Sequence, residues 1–310
     1  MGGVNGVSRR TALTLIGGGA AGFLARSARG AGADGPPALL KRRIPCTGEE
    51  LPAIGLGTWQ IFDVGSGAGA RGPLADVLAR FVSRGGRLVD TSPMYGRAET
   101  VLGALAAEAK LLPSLFVATK VWTRGKSSGL EQMERSLRLL GKVDLMQVHN
   151  LLDVDTQLAS IRDLKAAGRV RYAGVTHYTS SAYADLARVL RKEKPDFLQV
   201  NYSVAEPGAG ESLVPLAADL GVAVIANRPF GGGEALRRAL GTPLPAWAAE
   251  AGCASWAQVF LKWILADPAV TCAIPATSKV SHLEDDLGAA APPLPDAAWR
   301  KRARDAIAAL

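Results

Sequence analysis

The sequence VRYAGVTHYTSSAYADLARVLRKEKPDFLQV, residues 170 to 200, decides the fold. It begins with an apolar run of strand length, Val170 to Val175, and ends with a second one, Phe197 to Val200. Between them, Ala182 to Lys192 carries apolar residues at intervals of three and four, which is the period of a helix that packs on one face. A strand, a helix and a second strand in this order predict one unit of a parallel sheet with a helical crossover.

The same alternation repeats along the chain. The candidate strands are Ile54 to Thr58, Leu88 to Asp90, Leu115 to Lys120, Val143 to His149, Val170 to Val175, Phe197 to Val200, Val222 to Ala226 and Val270 to Ile274. The candidate helices include Leu74 to Ser83, Leu130 to Leu140, Thr156 to Ala167, Ala182 to Lys192 and Trp256 to Ala266. Eight strand–helix units favour an α/β protein with a closed (β/α)8 TIM barrel. A doubly wound open sheet is the alternative, but no glycine-rich turn follows the first strand to supply its phosphate site.

Two segments lie outside this repeat. Arg42 to Pro52 is predicted to form a short β-hairpin that turns near Thr47-Gly48 and covers the bottom of the barrel. After the last unit, Pro292 to Pro295 breaks the chain, and Asp296 is expected to cap a C-terminal helix that runs to about Leu310. The sequence therefore predicts one barrel domain over residues 34 to 310.

Charge and cysteine content argue against several classes of function. The chain has 310 residues and a net charge of +8, but its first 33 residues contain four arginines and no acid. Without them, 32 basic residues stand against 28 acidic ones, and the basic residues are spread along the chain. That pattern predicts a solvated surface and no nucleic-acid partner. The cysteines, whose spacing predicts neither a metal site nor a disulfide framework, are Cys46, Cys253 and Cys272.

The first 33 residues have the layout of a cleavable export signal. Ser8-Arg9-Arg10 precedes an uncharged stretch from Thr11 to Leu24, and small residues follow up to Ala31-Gly32-Ala33. The paired arginines indicate the twin-arginine export machinery. The uncharged stretch is shorter than the about 20 residues of a membrane span, so cleavage is favoured over anchoring. We therefore expect a periplasmic or extracytoplasmic protein without stable membrane insertion after cleavage.

A glycine pattern in the same segment suggests a different function. Gly17 to Gly22 matches the G-x-G-x-x-G turn that binds a dinucleotide pyrophosphate. A Rossmann unit would need a second strand about 20 residues further on, and Ala31 to Pro37 is instead rich in glycine and proline. The pattern is therefore a weak indication of a dinucleotide site.

Polar side chains stand at the C-terminal ends of several predicted strands. Asp90 closes the second strand, Lys120 the third and His149 the fourth. Tyr95 lies in the loop that follows Asp90. Each residue alone has an ordinary structural explanation. Because these strand ends converge on one mouth of a barrel, the four together predict a catalytic site.

The order of several motifs resembles that of the aldo/keto reductases. The matching segments are Gly55-Leu56-Gly57-Thr58-Trp59, Val89-Asp90-Thr91-Ser92-Pro93-Met94-Tyr95-Gly96 with Glu99, Thr119-Lys120, and Asp144-Leu145-Met146-Gln147-Val148-His149. The resemblance extends from about Leu51 to Leu287. It implies an enzyme that reduces the carbonyl of a small aldehyde or ketone to an alcohol with NAD(P)H. Trp59 and Trp122 are expected to line the substrate mouth.

The resemblance implies a role for each of four residues. Tyr95 would be the general acid that protonates the substrate oxygen, and the neighbouring ammonium of Lys120 would lower the pKa of its phenol. Asp90 would pair with Lys120 and keep it charged. His149 would orient the substrate oxygen.

A set of cofactor contacts is also implied. They are Gly57, Thr58, Thr176, His177, Gln199, Asn227, Arg228, Pro229, Phe230, Gly231, Ala276, Thr277, Ser278, Lys279, His282, Asp285 and Asp286. Gly231 to Gly233 would let backbone N–H groups approach the pyrophosphate, and the helix after Lys279 would hold the adenosine phosphate at its N-terminus. Asn227 stands where the family often stacks an aromatic ring on the nicotinamide. Because Ala276 and Asp286 also depart from the family pattern, NADPH is expected mainly on account of Lys279, with NADH as the alternative.

Two other functions fit part of the pattern. A Schiff-base aldolase would use Lys120 at a strand end but gives no role to Tyr95. A slow redox sensor that binds the cofactor would explain the departures at Asn227 and Arg228. For the assembly state, we expect a monomer.

Overall fold

A short β-hairpin precedes the main sheet. The computed structural model describes residues 38–310, so the predicted export signal and the Gly17 to Gly22 pattern lie outside the described residues. Strand β1, Lys41–Arg43, pairs antiparallel with β2, Glu50–Pro52. The turn between them contains Gly48 at φ +73°, a conformation that favours glycine. The predicted hairpin is confirmed.

Eight parallel strands form the main sheet, and each pairs with the next along the chain. They are β3 (Leu56–Gly57), β4 (Leu88–Asp90), β5 (Phe116–Val121), β6 (Leu145–His149), β7 (Tyr172–Thr176), β8 (Phe197–Asn201), β9 (Ala223–Asn227) and β10 (Val270–Ala273). The sheet closes because Ile54 forms a parallel bridge with Ala273, and the Gly55 N–H donates to the Ala273 carbonyl at 2.8 Å. The closed (β/α)8 barrel is therefore confirmed, and the open doubly wound sheet is excluded.

Helices cover the outside of the barrel, and the last of them lies at the C-terminal end of the chain. They are α1 (Ala68–Ser83), α2 (Ala98–Glu108), α3 (Lys126–Leu140), α4 (Val154–Ala166), α5 (Tyr183–Glu193), α6 (Leu213–Asp219), α7 (Glu234–Ala239), α8 (Trp256–Leu265), α9 (Val280–Gly288) and α10 (Ala297–Ala308). In α5 the buried residues Leu186, Val189 and Leu190 follow the helical period that the sequence predicted. Helix α1 begins at Ala68 rather than at the predicted Leu74. Its first turns, mostly alanine and glycine with Arg71 and Pro73, lack the apolar period from which the helix was predicted.

Apolar residues fill the lower half of the barrel interior. Ile44 and Leu51 of the hairpin are buried against inward-facing strand residues such as Phe116, Tyr172 and Phe197. The larger core lies between the sheet and the surrounding helices. Polar residues occupy the other end of the interior, where the strands finish, and this end holds the candidate site.

The C-terminal helix α10 is anchored to the barrel. The Asp296 side chain accepts the Trp299 N–H at 2.8 Å, as the predicted cap requires. The Arg300 guanidinium lies 4.3 Å from the ring centroid of Trp263 and donates to the Tyr202 hydroxyl at 2.6 Å. Within residues 38–310, no helix is both long and apolar enough to span a membrane.

Candidate active site

A cavity of about 490 Å³ opens at the C-terminal ends of the strands. Asp90, Tyr95 and His149 lie in its lining. Trp59 and Trp122 form exposed walls, as predicted for a substrate mouth, with 51% and 42% of their surfaces accessible. The other exposed apolar walls, which sequence reasoning did not identify, are Met94 and Tyr178. The cavity is thus wide and partly aromatic at its rim and polar at its floor.

Lys120 and Asp90 form a buried ion pair beneath the cavity. Lys120 Nζ donates to Asp90 Oδ2 at 2.6 Å and to the Thr91 carbonyl at 2.7 Å. Neighbouring strands bring the pair together, because β4 and β5 run side by side in the sheet. Burial acts to lower the pKa of Lys120, but the interactions with Asp90 and with Tyr95 outweigh it, so the pKa is raised overall. Lys120 is therefore a fixed ammonium.

Two glutamines hold the carboxylate of that pair. Gln199 Nε2 donates to Asp90 Oδ1 at 2.7 Å, and Gln147 Nε2 donates to the same oxygen at 3.2 Å. Both glutamines are buried. Gln147 was not among the predicted site residues, although its position carried a signal: it lies two residues before His149, and alternate residues of a strand share a face. Asp90 is therefore held by three side chains.

Tyr95 lies beside the ammonium but is less acidic than expected. Lys120 Nζ is 4.9 Å from the centroid of the Tyr95 ring. Burial raises the pKa of Tyr95, Lys120 acts to lower it, and the net result is a raised pKa. The predicted fall of the Tyr95 pKa is therefore wrong as a net effect, because the loss of solvation outweighs the nearby charge. The phenol remains a protonated donor at neutral pH.

His149 is a neutral imidazole at the cavity floor. Burial, followed by repulsion from Lys120, lowers its pKa to about 3. Its ring meets that of Tyr95 edge to face, with centroids 6.2 Å apart. Ser92 Oγ accepts the Met94 N–H at 3.2 Å and lies 3.4 Å from His149 Nδ1. If the Ser92 hydroxyl donates to Nδ1, the neutral ring carries its proton on Nε2, where it can donate to a substrate oxygen.

Several predicted cofactor positions line the same cavity. They are Gly57, Thr58, Thr176, Gln199, Asn227, Arg228, Pro229, Phe230 and Ala276. Gly231, Gly232 and Gly233 follow with φ of +59°, +74° and +92°, so this loop adopts a backbone that favours glycine. The N–H groups of Gly231 and Gly233 donate to the carbonyls of Arg228 and Phe230 at 2.8 and 2.9 Å, and Gly232 and Gly233 line the cavity. At Gly57, an added Cβ would stand 3.0 Å from the Ile274 carbonyl oxygen.

Hydrogen bonds link two predicted cofactor positions, Thr176 and Gln199, to Asp90. Thr176 Oγ1 donates to Gln199 Oε1 at 3.2 Å, and the same glutamine donates to Asp90. Asn227 Nδ2 donates to the His177 carbonyl at 3.2 Å, while Asn227 Oδ1 is buried without a hydrogen-bond partner in the described chain. An amide oxygen in this state has an unused capacity to accept a hydrogen bond.

The other predicted cofactor residues lie outside the lining of this cavity. They are His177, Gly231, Thr277, Ser278, Lys279, His282, Asp285 and Asp286. His177 Nδ1 instead accepts the N–H groups of Tyr178 and Thr179 at 3.0 and 3.2 Å. The Asp285 carboxylate accepts hydrogen bonds from Ser255 and Gln258 at 2.7 and 2.8 Å. The side chains of His177 and Asp285 therefore already hold local structure.

The segment before α9 leads into the helix start at which the sequence predicted a phosphate site. Lys279 is the N-cap residue of α9, and no side chain caps that helix start. Thr277 Oγ1 accepts the Lys279 N–H at 3.1 Å and fixes the approach to the helix. Asp286 is buried in the same helix, where burial raises its pKa well above the usual value. Burial therefore favours the neutral form of this carboxyl. Among residues 38–310, no group of three or more metal-ligating side chains is present.

Comparison with known proteins agrees with this geometry. The model of the aldo/keto reductase family matches residues 53–303, so the chain belongs to the aldo/keto reductase family. Membership makes it an NAD(P)H-dependent oxidoreductase. An uncharacterized oxidoreductase of Mycobacterium tuberculosis (strain ATCC 25618 / H37Rv) is 31% identical over 296 residues, which cover 83% of this chain and 88% of that protein.

Solved structures share the fold. An aldo/keto reductase from Klebsiella pneumoniae, crystallised in complex with NADP and acetate, is 25% identical with a TM-score of 0.71, over 84% of this chain and 92% of that one. Another aldo-keto reductase structure from Klebsiella pneumoniae, in complex with NADPH, has a TM-score of 0.72 at 23% identity, over 87% and 95% of the two chains. The second likeness supports the fold alone.

Proposed function

We propose that this protein reduces the carbonyl group of a small aldehyde or ketone to an alcohol with NADPH, and that Tyr95 is the general acid. The observation that carries the proposal is the contact between a buried ion pair and a cavity-lining phenol. Lys120 Nζ is 2.6 Å from Asp90 and 4.9 Å from the Tyr95 ring, and the phenol faces the cavity. A reduction of this kind needs a proton donor next to the carbonyl oxygen, which gains negative charge as the carbon accepts hydride.

The chain's own groups fit a dinucleotide cofactor. Thr176, Gln199 and Asn227 would hold the nicotinamide amide, and the unpartnered Asn227 Oδ1 supports this, because a carboxamide can supply the missing donor. The glycine loop at 231–233 and the start of α9 would hold the phosphates. When bound, NADPH supplies the hydride for the carbonyl carbon. The preference for NADPH over NADH rests on Lys279, and the Klebsiella pneumoniae relative in complex with NADP supports it.

The catalytic residues then act on the substrate oxygen. His149, which is neutral, would donate a hydrogen bond from Nε2 and orient that oxygen toward Tyr95. Tyr95 would transfer its proton as negative charge develops on the oxygen. The phenolate left behind would be stabilised by the fixed ammonium of Lys120. Lys120 thus stabilises the Tyr95 phenolate that remains after the proton transfer, and Asp90 keeps Lys120 charged.

The Schiff-base aldolase alternative fits the geometry less well. Lys120 is fully buried, its Nζ donates to two oxygens, and its pKa is raised. An aldolase needs a neutral, accessible amine. We expect that a carbonyl substrate with borohydride leaves the peptide containing Lys120 unmodified in a mass spectrum. An adduct on Lys120 would favour the aldolase.

The test of the proposal is the variant Tyr95→Phe, assayed for NADPH oxidation with a panel of aldehydes and ketones. We expect turnover to fall by about 100-fold or more, because the proton donor is lost. NADPH binding, followed by quenching of tryptophan fluorescence, should be unchanged because the ring shape is preserved. Tyr183→Phe, which also loses a phenol but lies outside the main cavity, is the control. Equal turnover in Tyr95→Phe and wild type would contradict the assignment. Slow turnover of every carbonyl by wild type with tight NADPH binding would favour the redox sensor.

The site of action is also a proposal. We propose that residues 1–33 direct export through the twin-arginine machinery and are then removed, on the basis of the paired arginines and the uncharged stretch after them. N-terminal sequencing of protein from the cell envelope should begin near Asp34. A retained Met1 would contradict cleavage. Size-exclusion chromatography with light scattering tests the expected monomer.

A further inference from the structure

A second recess, of about 430 Å³, adjoins the main cavity and shares two wall residues with it. The shared residues are Tyr178 and Arg228. Glu206 lines the second recess only. Arg228 therefore stands between the proposed cofactor cavity and a carboxylate on its other side.

The guanidinium of Arg228 is held by that carboxylate. Arg228 Nε donates to Glu206 Oε2 at 3.2 Å, and Nη2 donates to Oε1 at 3.1 Å. About a third of each side chain is exposed, 29% for Arg228 and 32% for Glu206. The pair is accessible enough to open, and it neutralises the charge of Arg228 while it is closed.

Arg228 is the main source of positive charge for an anionic ligand in the cavity. Among the described residues that line the main cavity, it is the sole lysine or arginine, and His149 is neutral. The backbone of Arg228 lies at φ +50°, and its guanidinium rests on the glycine loop: a Cβ added at Gly232 would be 2.9 Å from Nη2. A pyrophosphate bound in the cavity against Gly232 would therefore lie within reach of this guanidinium.

Glu206 has other contacts that persist when its ion pair with Arg228 opens. Its N–H donates to Ser203 Oγ at 3.1 Å, which fixes the residue independently of Arg228. Its Oε2 also accepts from Asn201 Nδ2 at 3.4 Å. The carboxylate keeps this contact and solvent access if Arg228 turns away, so opening the pair does not leave a buried charge unpaired.

We propose that Arg228 binds the cofactor pyrophosphate and that Glu206 competes with the pyrophosphate for its guanidinium, so that Glu206 sets the affinity for the cofactor. The inference rests on the proposed use of a nicotinamide dinucleotide. Each binding event exchanges one anionic partner of Arg228 for another. Cofactor affinity is then weaker than the site would otherwise give, which favours release after turnover.

The experiment measures the dissociation constant of NADPH by tryptophan fluorescence for four proteins: wild type, Glu206→Gln, Arg228→Gln and the double variant. Glu206→Gln should tighten binding by about fivefold, the size of one partly exposed ion pair. Arg228→Gln should weaken it by roughly tenfold, because a charge-assisted contact is lost. The gain from Glu206→Gln should largely disappear in the Arg228→Gln background, since the carboxylate acts through the guanidinium.

A matched control is Glu193→Gln, which removes a carboxylate from another arginine pair. Arg162 Nη1 donates to Glu193 Oε2 at 2.7 Å, and neither residue lines either cavity. This variant should leave the dissociation constant within about twofold of wild type, since its charge lies far from the ligand and is screened by salt.

Three results would overturn the inference. Weaker binding by Glu206→Gln would make Glu206 a support for Arg228 rather than a competitor. An equal gain from Glu206→Gln with and without Arg228 would indicate simple charge repulsion. An unchanged NADPH dissociation constant in both single variants would show that Arg228 does not bind the cofactor. If wild type itself fails to bind NADPH, the proposed cofactor is wrong. The three results above concern only the role of Glu206 and Arg228, so the two kinds of failure are distinguishable.

Discussion

Removal of the buried ammonium should destabilise the barrel, and Lys120→Met is the change that tests this. Lys120 is fully buried against Asp90 at 2.6 Å, so the variant leaves a buried carboxylate without its cation. Breaking a buried pair in this way costs about 3 to 5 kcal/mol. Gln147 and Gln199 still donate to Asp90 Oδ1 and offset part of that cost. We therefore expect a loss of about 3 kcal/mol in the free energy of unfolding.

Circular dichroism during urea and thermal unfolding measures the effect, with a fall in Tm of roughly 6 °C or more for a chain of this size. The double variant Asp90→Asn/Lys120→Met removes both charges and should recover most of the loss. Lys262→Met is the control, because Lys262 is equally buried but donates only to the carbonyls of Ala291 and Pro293. It should cost less than Lys120→Met, since it leaves no unpaired carboxylate. A double variant no more stable than Lys120→Met would refute the reasoning.

Three further predictions follow from the same contacts. The His149 imidazole binds a proton below about pH 6.5 in the unfolded chain but only near pH 3 in the folded protein. The free energy of unfolding should therefore fall as the pH drops through this window, by about 3 kcal/mol at pH 4. In urea unfolding, His149→Gln should lack that part of the fall. Gln147→Leu removes one hydrogen bond to Asp90 and should lower kcat by roughly tenfold with an unchanged NADPH dissociation constant in fluorescence titrations. Gly232→Ala combines φ +74° with a 2.9 Å approach to Arg228 and should weaken NADPH binding several-fold in the same titration, whereas an unaltered constant would show that the loop does not contact the cofactor.

The barrel could be predicted from the sequence because its signals are local. The segment Val143 to His149 is mostly apolar before its final histidine, apart from Asp144 and Gln147, and the structure places β6 within two residues of the prediction. The hairpin turn at Gly48 and the cap at Asp296 also follow from a few neighbouring residues. The start of α1 was less predictable, because its first turns contain small and polar residues and Pro73.

The catalytic cluster was predictable in its members but not in its electrostatics. The sequence placed Asp90, Lys120 and His149 at three strand ends and Tyr95 in the loop after Asp90, and the structure brings these four residues together. The direction of the Tyr95 pKa depends on how much solvent the fold removes from the phenol, which no local pattern encodes.

Contacts between residues distant in the sequence could not be predicted from local patterns either. Glu206 meets Arg228 across 22 positions, and Gln199 meets Asp90 across 109. Such contacts are set by the closure of the barrel, which brings the strand ends to one mouth, and they become visible only in three dimensions.

The central claim is that Lys120 makes the phenolate of Tyr95 easier to form at the floor of the cavity, and a titration of Tyr95 tests it most directly. The chain has five tyrosines, so ¹³C-labelled tyrosine gives few resonances, and Tyr95→Phe identifies the relevant one. We expect the Tyr95 pKa to lie above the ordinary value in wild type and to rise further in Lys120→Met, or in Asp90→Asn/Lys120→Met if the single variant is too unstable. A Tyr95 pKa that stays constant or falls when the ammonium is removed would contradict the account.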